Sequence, residues 1–396
     1  MTADPILCVD FDKRDEFLEL SSLAPAVCFQ CGTCTATCPW SELLDKPMTV
    51  RKLIHQGLLG LDTDSMLWFC TTCMACETRC PREVDIVKSL LAMRNMAFRK
   101  RHVPSEFEKL LWNVLEEGNP TGDPLLARAN WAKDLNLKDA SQGVDVLLYT
   151  GCTSSYDPRI QKVARSLAAI LNSTAVDFGI LGTKELCCGD PVRSTGESAF
   201  LDTLIMKNIE TFKSTGANRI VTISPHCYDM FQGLYKEFGL EIEVLHYTEL
   251  ISELLRDGAL NLSNGLKGER ESERIVTYHD PCYLGRHHSI YDAPRSVLEG
   301  IKGIRCVEME ENQEHALCCG GGGGRMWLET EPGMRQSDLR IGQATRTGAD
   351  LMVTACPYCI QNFEDSTKVL GSNIEVKDIA EIVAEAMGLS PGGDGK

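Results

Sequence analysis

The sequence lacks the features of an exported or membrane-spanning protein. No unbroken apolar run approaches the roughly 18 residues that a membrane-spanning helix needs. The N-terminal stretch MTADPILCVDFDKRDE has neither the basic start nor the apolar centre of a secretory signal. We therefore expect a cytoplasmic protein with no membrane span of its own, whose association with a membrane would depend on a partner.

Positive charge is also scarce. The 396 residues include 40 Lys and Arg against 56 Asp and Glu, which gives a net charge of −16. A nucleic-acid surface needs clustered basic side chains, so this balance excludes nucleic acid as a partner. The local exception is FRKRH at 98–102, which we interpret as a solvated helix end in preference to a docking patch.

Cysteine, in contrast, is abundant, with 19 in the chain. In a sequence without an export signal, this number indicates metal sites or redox chemistry and argues against a disulfide scaffold. Only Cys8 and Cys306 fall outside patterned groups, and we expect both to be small buried apolar side chains.

Two cysteine runs near the N-terminus share the pattern C-x2-C-x2-C-x3-C-P, which is the bacterial signature for two 4Fe–4S clusters. The first three cysteines of a run bind one cluster, and the fourth reaches the other cluster. Zinc is the alternative for the C-x2-C spacing, but the C-P ending of both runs disfavours it. The expected ligands are Cys28, Cys31, Cys34 and Cys80 for cluster 1, and Cys70, Cys73, Cys76 and Cys38 for cluster 2.

A different pattern begins at residue 144, where short buried-strand runs alternate with helical patterns, as in a parallel α/β sheet. The same order of strands, helices and cysteines then repeats, with matching cysteines offset by 130 to 132 residues. This regularity indicates a tandem duplication. Copy one contains Cys152, Cys187, Cys188 and Cys227, and copy two contains Cys282, Cys318, Cys319, Cys356 and Cys359.

These patterns predict a multidomain protein of mixed α+β and α/β class. A mainly helical two-cluster ferredoxin-like domain (1–105) is followed by a helical connector (106–142) and by two tandem α/β domains with parallel sheets (143–257 and 274–390). The cysteines of both copies follow strand ends, which is where open α/β sheets bind their ligands.

The two copies differ at one cysteine position, because Ser224 stands where copy two has Cys356. A serine oxygen ionises poorly and is a harder donor than a thiolate. We therefore expect a complete cluster in copy two, and a lesser cluster, an altered one or none in copy one. Gly189 and the glycine run 320–324 are expected to let the backbone approach an inorganic core. A phosphate-binding P-loop is disfavoured, since the run lacks the G-K-[ST] ending.

With the ferredoxin module in front, the duplicated cysteine pattern resembles the heterodisulfide reductase D family. The motifs that carry the resemblance are TGCTSSYDPR, LCCGDP, HDPCYLGRHHSIYDAPR, CCGGGGGRMW and TACPYC, and it extends over essentially the whole chain. In that family the cysteine-rich CCG domain holds a noncubane 4Fe–4S cluster by five cysteines, and disulfide substrates are cleaved there. The resemblance therefore implies a noncubane cluster on Cys282, Cys318, Cys319, Cys356 and Cys359, and it makes Cys152, Cys187, Cys188 and Cys227 candidates for an additional cluster.

Taken together, the motifs and the resemblance predict an iron–sulfur electron-transfer subunit of a cytoplasmic anaerobic oxidoreductase complex. No G-x-G-x-x-G fingerprint follows a strand, so the chain needs redox partners, such as a flavoprotein, a ferredoxin or a quinone-reactive membrane subunit, in a hetero-oligomer. A catalytic heterodisulfide or thiol oxidoreductase is the alternative, and a non-enzymatic sensor or scaffold is the weakest hypothesis. We assign no catalytic residue, and we expect His226, His279, His287 and His288 to hold loops by hydrogen bonds rather than to relay protons.

Overall fold

The computed structural model describes residues 8–43, 48–63, 65–262, 265–266, 273–331 and 333–389. It contains a helical N-terminal domain followed by two α/β domains, each built on a parallel sheet. This architecture confirms the fold class predicted from the sequence.

The N-terminal domain consists of short helices around a small apolar core. Acidic side chains cap two of these helices: Asp10 accepts a hydrogen bond from the Lys13 amide at 3.1 Å, and Asp85 accepts one from the Lys88 amide at 2.8 Å. The segment between the two cysteine runs is helical, as its apolar spacing predicts. The helices are α1 (Phe11–Leu20), α2 (Thr33–Thr37), α3 (Trp40–Leu43), α4 (Val50–Leu58) and α5 (Ile86–Arg99).

The connector begins with the helix α6 (Ser105–Glu117), which ends at Gly118 in the left-handed region. Phe107 on this helix packs edge-on against Trp68 of the N-terminal domain, with 5.4 Å between ring centroids. The connector ends in the short strand β1 (Lys138–Asp139), which joins the first sheet as its edge.

The first α/β domain has a five-stranded parallel sheet with the strand order β1-β3-β2-β4-β5. Helices connect its strands, because parallel strands need crossover connections. Its elements are β2 (Val146–Tyr149), α7 (Cys152–Tyr156), α8 (Pro158–Asn172), β3 (Phe178–Ile180), α9 (Asp190–Thr195), α10 (Ala199–Ser214), β4 (Arg219–Thr222), α11 (Pro225–Gln232), α12 (Leu234–Glu237), β5 (Glu243–His246) and α13 (Tyr247–Arg256).

The second α/β domain has a four-stranded parallel sheet with the order β7-β6-β8-β9, which matches β3-β2-β4-β5 of the first strand for strand. This equivalence is what a tandem duplication predicts. Its elements are β6 (Arg274–Tyr278), α14 (Asp292–Glu299), β7 (Ile304–Cys306), α15 (Gln336–Arg346), β8 (Leu351–Thr354), α16 (Pro357–Leu370), β9 (Glu375–Asp378) and α17 (Ile379–Met387).

The strand order creates a crevice in each sheet. From β2 the chain moves to β3 on one side and then to β4 on the other, so the order reverses between β2 and β4, as it does between β6 and β8. Such a switch point opens a crevice at the carboxyl ends of the strands. Cys152 and Cys227 follow β2 and β4, and Cys282 and Cys356 follow β6 and β8.

One buried arginine joins the three domains. Arg94 on α5 is fully buried, and its guanidinium donates to four carbonyl oxygens. One nitrogen donates to Ser194 of the first α/β domain at 2.9 Å and to Gly323 of the second at 2.8 Å. The other donates to Leu67 at 3.1 Å and to Cys70 at 2.8 Å. The planar five-donor fork of arginine makes this arrangement available to no other side chain.

We predict that Arg94→Met weakens the docking of the three domains. Removing the guanidinium leaves buried carbonyl oxygens without donors, which costs about 1 to 3 kcal/mol for each such group. Thermal unfolding of the cluster-containing protein should therefore start several degrees lower, and limited proteolysis should cut between domains. Arg99→Met is the matched control on the same helix, since Arg99 forms only a surface pair with Glu16. Equal unfolding midpoints for the two variants would contradict this role of Arg94.

Candidate iron–sulfur sites

The five cysteines of copy two form one buried group at the crevice of the second sheet. The sulfur atoms of Cys282 and Cys318 lie 3.9 Å apart, and those of Cys319 and Cys359 lie 3.2 Å apart. Cys356 is the N-cap residue of α16 and contacts Cys359 in its first turn. All five side chains are buried. The fold thus brings together every position of the expected noncubane set.

A histidine from copy one contacts this group. Burial opposes ionisation of Cys356, but hydrogen bonds with Cys359 and His226 outweigh it and lower the pKa of the thiol to about 5. Burial also lowers the pKa of His226, but Asp190, whose Oδ2 lies 3.0 Å from Nδ1, and Cys356 raise it to about 10. The thiolate is the form of cysteine that binds metal. Copy one therefore supplies a positive group beside a candidate ligand of copy two.

The glycine after each adjacent cysteine pair has a specific structural role. The Gly320 amide donates to the sulfur of Cys318 at 3.3 Å, and the Gly189 amide donates to Cys187 at 3.4 Å. Both glycines have a positive φ, 90° and 94°, which side chains disfavour. The C-C-G motif is therefore a turn that points an amide at the first sulfur.

The last three glycines of the run pack closely against other parts of the chain. A Cβ atom on Gly322 would lie 2.4 Å from the carbonyl oxygen of Thr71, and one on Gly323 would lie 2.3 Å from that of Cys70. On Gly324 it would meet the Phe107 ring at 2.7 Å. These contacts belong to the ferredoxin loop and the connector. A side chain at 322, 323 or 324 would collide with another part of the chain, which explains why these residues are glycine. The approach of the run to an inorganic core stays a prediction.

The four cysteines of copy one are also grouped. Cys152 contacts Cys187, and Cys188 contacts Cys227. All four line one small cavity together with Ser224, the residue that replaces the fifth cysteine. The serine is therefore located where the missing thiol would be.

A buried ion pair that the sequence did not reveal supports the copy-one group. Arg128 donates to the sulfur of Cys152 at 3.5 and 3.6 Å and pairs with Glu185 at 2.6 Å. Glu185 in turn accepts from the amides of Thr150 and Gly151 at 2.9 and 2.8 Å. Arg128 lies in the predicted connector, where no local pattern marks it.

The cysteines of the first ferredoxin run surround the short helix α2. Cys34 lies near Cys28 and Cys31, and Cys31 is exposed. Arg82, two residues after Cys80, donates to the carbonyl oxygen of the residue before Cys28 at 3.3 Å. This bond holds the end of the second run beside the start of the first, which is the crossover that the expected cluster 1 requires.

The cysteines of the second run lie deeper. Cys76 lies near Cys70 and Cys73, and Cys38 from the first run lies near the same two residues. Burial raises the pKa of the Cys38 and Cys76 thiols in this environment. The placement of Cys38 corresponds to the crossover expected for cluster 2.

The two cysteine runs contain loops of the same strained backbone conformation. The residues on either side of the second cysteine have positive φ in each run: Gln30 and Gly32 at 63° and 88°, and Thr72 and Met74 at 53° and 61°. Non-glycine residues persist in this region only when their surroundings enforce it. Successive backbone N–H groups in such loops form concave nests that hold anionic groups, iron–sulfur clusters among them.

The second ferredoxin loop touches the copy-two thiols directly. Cys73 forms a side-chain contact with Cys318 and packs on Cys282. The carbonyl oxygens of this loop are held by copy two as well: Arg286 donates to that of Cys73 at 2.5 Å, and His287 donates to that of Thr72 at 2.9 Å. The expected loop-holding role of His287 agrees with this contact.

Buried arginines near the thiols test whether the site suits an iron–sulfur cluster. Arg94 and Arg286 are buried, and neither forms an ion pair with a carboxylate in the described part of the chain. Burial lowers the pKa of Arg286, but Cys73, Cys282 and Cys318 outweigh it and raise the pKa above its ordinary value. A buried charge needs a counter-charge. Clusters held by thiolates carry negative charge, so the residues present fit them.

The cysteines outside the clusters correct one expectation. None of the 19 cysteines forms a disulfide, but Cys8 and Cys306 are exposed, so the prediction that these two are buried was wrong. Cys306 ends β7, the edge strand of its sheet, which has no neighbour on its outer side among the described residues.

Within the described ranges, no group of three or more His, Cys, Asp or Glu side chains is arranged so that it could hold a single metal ion. A cubane 4Fe–4S cluster does not require such an arrangement, since each of its four thiolates binds a different iron.

Comparisons with known proteins identify the class. A cysteine-rich domain family (CCG) matches residues 146–232 and 276–364, and a 4Fe-4S dicluster domain family matches residues 25–84. The fold and the cysteine sites thus define an iron–sulfur oxidoreductase subunit with a ferredoxin-type domain and tandem CCG domains. No helix within the described ranges is long and apolar enough to cross a membrane.

Comparison with individual relatives identifies the family to which the chain belongs. The chain is 35% identical to a probable iron-sulfur-binding oxidoreductase, FadF, of Bacillus subtilis, and 34% identical to an EtfAB:quinone oxidoreductase of Syntrophomonas wolfei, with 84% and 81% of the chain aligned. It spans about half the length of these two relatives, 48% and 46%. It is also 31% identical to the D component of the dihydromethanophenazine:CoB–CoM heterodisulfide reductase of Methanosarcina barkeri, over 92% of the chain and 94% of that protein. The chain belongs to the heterodisulfide reductase D family.

We predict that Gly323→Ala separates the ferredoxin loop from copy two. Its methyl group would collide with the Cys70 carbonyl, whereas a methyl group on Gly333, at a φ of 83°, would meet no atom within 4 Å. Both alanines bear the backbone penalty of a positive φ, so the difference isolates the contact. The thermal midpoint should fall by several degrees more for Gly323→Ala than for Gly333→Ala. Similar midpoints would show that the loop can shift without loss.

Proposed function

We propose that this chain is the electron-transfer subunit of a cytoplasmic anaerobic oxidoreductase complex. The proposed ferredoxin-type domain 1–105 holds two cubane 4Fe–4S clusters, and the proposed second CCG domain 274–390 holds one noncubane 4Fe–4S cluster. When bound, these clusters supply one-electron transfer. The domain 143–257 is proposed to hold an additional cluster or an altered one, since Ser224 replaces one thiol.

The proposed ligands follow the groups described above. They are Cys28, Cys31, Cys34 and Cys80 for cluster 1; Cys70, Cys73, Cys76 and Cys38 for cluster 2; and Cys282, Cys318, Cys319, Cys356 and Cys359 for the noncubane cluster, with Cys152, Cys187, Cys188 and Cys227 as the candidates in copy one.

The observation that carries this proposal is the packing of Cys73 against the buried group formed by Cys282, Tyr283 and Cys318. It brings a proposed ligand of cluster 2 against a proposed ligand of the noncubane cluster, without an intervening protein segment. Thr71 adds a second contact, because its hydroxyl lies 3.8 Å from the sulfur of Cys318. The chain's own residues thus hold the ferredoxin loop and the copy-two thiols at fixed separation and exclude water between them.

Partners are required at both ends of this path. We propose other redox subunits in a hetero-oligomer: a flavoprotein, a ferredoxin or a quinone-reactive membrane subunit. The relative named EtfAB:quinone oxidoreductase supports a quinone-linked partner. Association with a membrane would then depend on that partner.

A second candidate function is a heterodisulfide or thiol oxidoreductase acting at the copy-two site. The observation that favours it is a surface cleft of about 260 Å³ that is lined by Cys319 and Gly320. Such a cleft gives a small molecule access to the proposed noncubane cluster, which a pure relay would not need.

We predict about twelve iron atoms per chain in anaerobically purified protein, from three clusters of four. Cys318→Ala should lose about four of them and the spectroscopic signals of the noncubane cluster. Cys306→Ala is the matched control, since Cys306 is exposed and outside every cysteine group. Iron analysis and electron paramagnetic resonance measure both. About eight irons in the unsubstituted protein, all in cubane clusters, would refute the noncubane site, and about sixteen would add a cluster in copy one.

We further predict a disulfide test that separates the two functions. If copy two is catalytic, reduced benzyl viologen should support conversion of 2-hydroxyethyl disulfide, two electrons and two protons yielding two thiols per disulfide. Cys318→Ala should abolish this turnover and Cys306→Ala should keep it. No turnover in the cluster-replete protein would leave electron relay as the function.

A further inference from the structure

A cavity in the N-terminal domain lies apart from the cysteine groups. It has a volume of about 420 Å³ and is lined by residues of α1, α4 and α5 and of the turn that leads into α6. No cysteine of the described chain lines it. A cavity of this size is in the range of small-molecule sites. It is therefore a candidate binding site that the proposed path of electrons does not use.

The inner wall of this cavity is apolar. Met93 and Met96 of α5 line it together with Trp68 and Val103. On the side of α4 the wall is backbone, since a Cβ atom on Gly57 would lie 2.6 Å from the terminal methyl carbon of Met93. Methionine and tryptophan offer a large apolar surface, and the flexible methionine side chain adapts to the shape of a ligand. The wall therefore favours an apolar molecular body.

The rim of the cavity carries an excess of positive charge. The Nζ atoms of Lys13 and Lys100 lie 3.3 and 3.0 Å from the same carboxylate oxygen of Asp62. Asp62 is the only acidic residue among the described residues that line the cavity. Lys13 also lies 3.5 Å from Asp10, which is outside the lining. One carboxylate oxygen thus serves two ammonium groups at the rim, and these groups have further donors for a second anion.

The ion pairs of the rim can be exchanged. The Asp62 side chain is 67% exposed, and pairs between exposed side chains are weak because solvent screens them. Thr63, Ser65 and His102 also line the cavity, and each can donate a hydrogen bond to a carboxylate. A ligand carboxylate at the rim would therefore replace Asp62, and the apolar part of the ligand would reach the inner wall.

The inner wall is also the back of the second ferredoxin loop. Trp68 precedes Cys70 by two residues, and the guanidinium of Arg94, which donates to the Cys70 carbonyl oxygen, lies 5.1 Å from the centroid of the Trp68 ring. The same ring packs edge-on against Phe107 of α6. A ligand that packs on Trp68 would therefore stabilise the arrangement of the ferredoxin loop, α5 and α6.

We propose that this cavity binds a small organic anion with an apolar chain, whose carboxylate pairs with Lys13 and Lys100 and whose chain packs on Trp68. This inference goes beyond the proposed function, because the ligand transfers no electrons and contacts no proposed cluster ligand.

The test uses octanoate, octan-1-ol and butyrate as probes of the anaerobically purified, cluster-containing chain. Calorimetric titration should show saturable binding of one octanoate per chain. Octan-1-ol, which has the same chain without the charge, should bind about tenfold more weakly, as expected for the loss of a charge-assisted hydrogen bond. Butyrate, which keeps the charge and lacks four methylene groups, should bind at least about tenfold more weakly. Octanoate should also raise the thermal midpoint, since a ligand that binds only the folded chain stabilises it.

Substitutions locate the site. Lys100→Gln should remove most of the preference for octanoate over octan-1-ol, and Lys88→Gln, the same change at an exposed position of α5 outside the cavity, should preserve it. Met96→Trp should fill the cavity and abolish binding of both probes. Met206→Trp is its matched control, at a position on α10 that is 57% exposed, and should leave binding unchanged.

Three results would overturn the proposal: equal affinity for octanoate and octan-1-ol, an absence of saturable octanoate binding, or octanoate binding that survives Met96→Trp. Iron content and the thermal midpoint of each variant without a probe show that it is folded and contains its clusters. Reduction by dithionite, measured on the same samples, tests the electron-transfer function separately, so that function would stand if octanoate failed to bind.

Discussion

The structure depends on positive charge placed where no carboxylate of the described chain balances it. Arg94 and Arg286 are buried at the junction of the three domains and donate to carbonyl oxygens of the second ferredoxin loop. In a low-dielectric interior, such charges are stable only beside opposite charge. Clusters held by the thiolates, as proposed, would provide that charge, so that cluster binding and domain docking would stabilise each other. The arginines supply the positive charge of this electrostatic balance, and the proposed inorganic clusters would supply the negative charge.

This balance explains why the backbone from Cys70 to Cys73 forms so many contacts with the neighbouring domains. Arg94, His287 and Arg286 each bond one of its carbonyl oxygens, and the glycines of copy two lie against it. A loop that holds a cluster with its N–H groups directs its carbonyl groups outward, and buried carbonyls need donors. The neighbouring domains supply those donors.

The sequence was informative wherever function repeats a local pattern. The paired cysteine runs, the duplication and the alternating α/β elements were all visible in it, because ligand spacing and strand periodicity are local. It did not reveal β5 and β9, whose short strands have weak alternation, nor Arg94 and Arg128, each of which forms half of its hydrogen bonds with partners 57 or more residues away. The packing of residues 322–324 on the ferredoxin loop was also not visible, because a glycine run looks the same whether it approaches a cluster or another domain. Such long-range contacts are set by tertiary packing.

The seam between the ferredoxin loop and copy two has a consequence for the kind of electron carrier this chain can be. Some redox proteins move a tethered domain between donor and acceptor, so that solvent viscosity and linker length limit their rate. Here Cys73 packs against Cys282, Tyr283 and Cys318 in a buried seam, and the hydroxyl of Tyr283 lies 2.6 Å from that of Thr72. The domain cannot swing away without exposing buried arginine. If the chain transfers electrons as proposed, it does so with its domains docked, and its proposed partners would have to come to it.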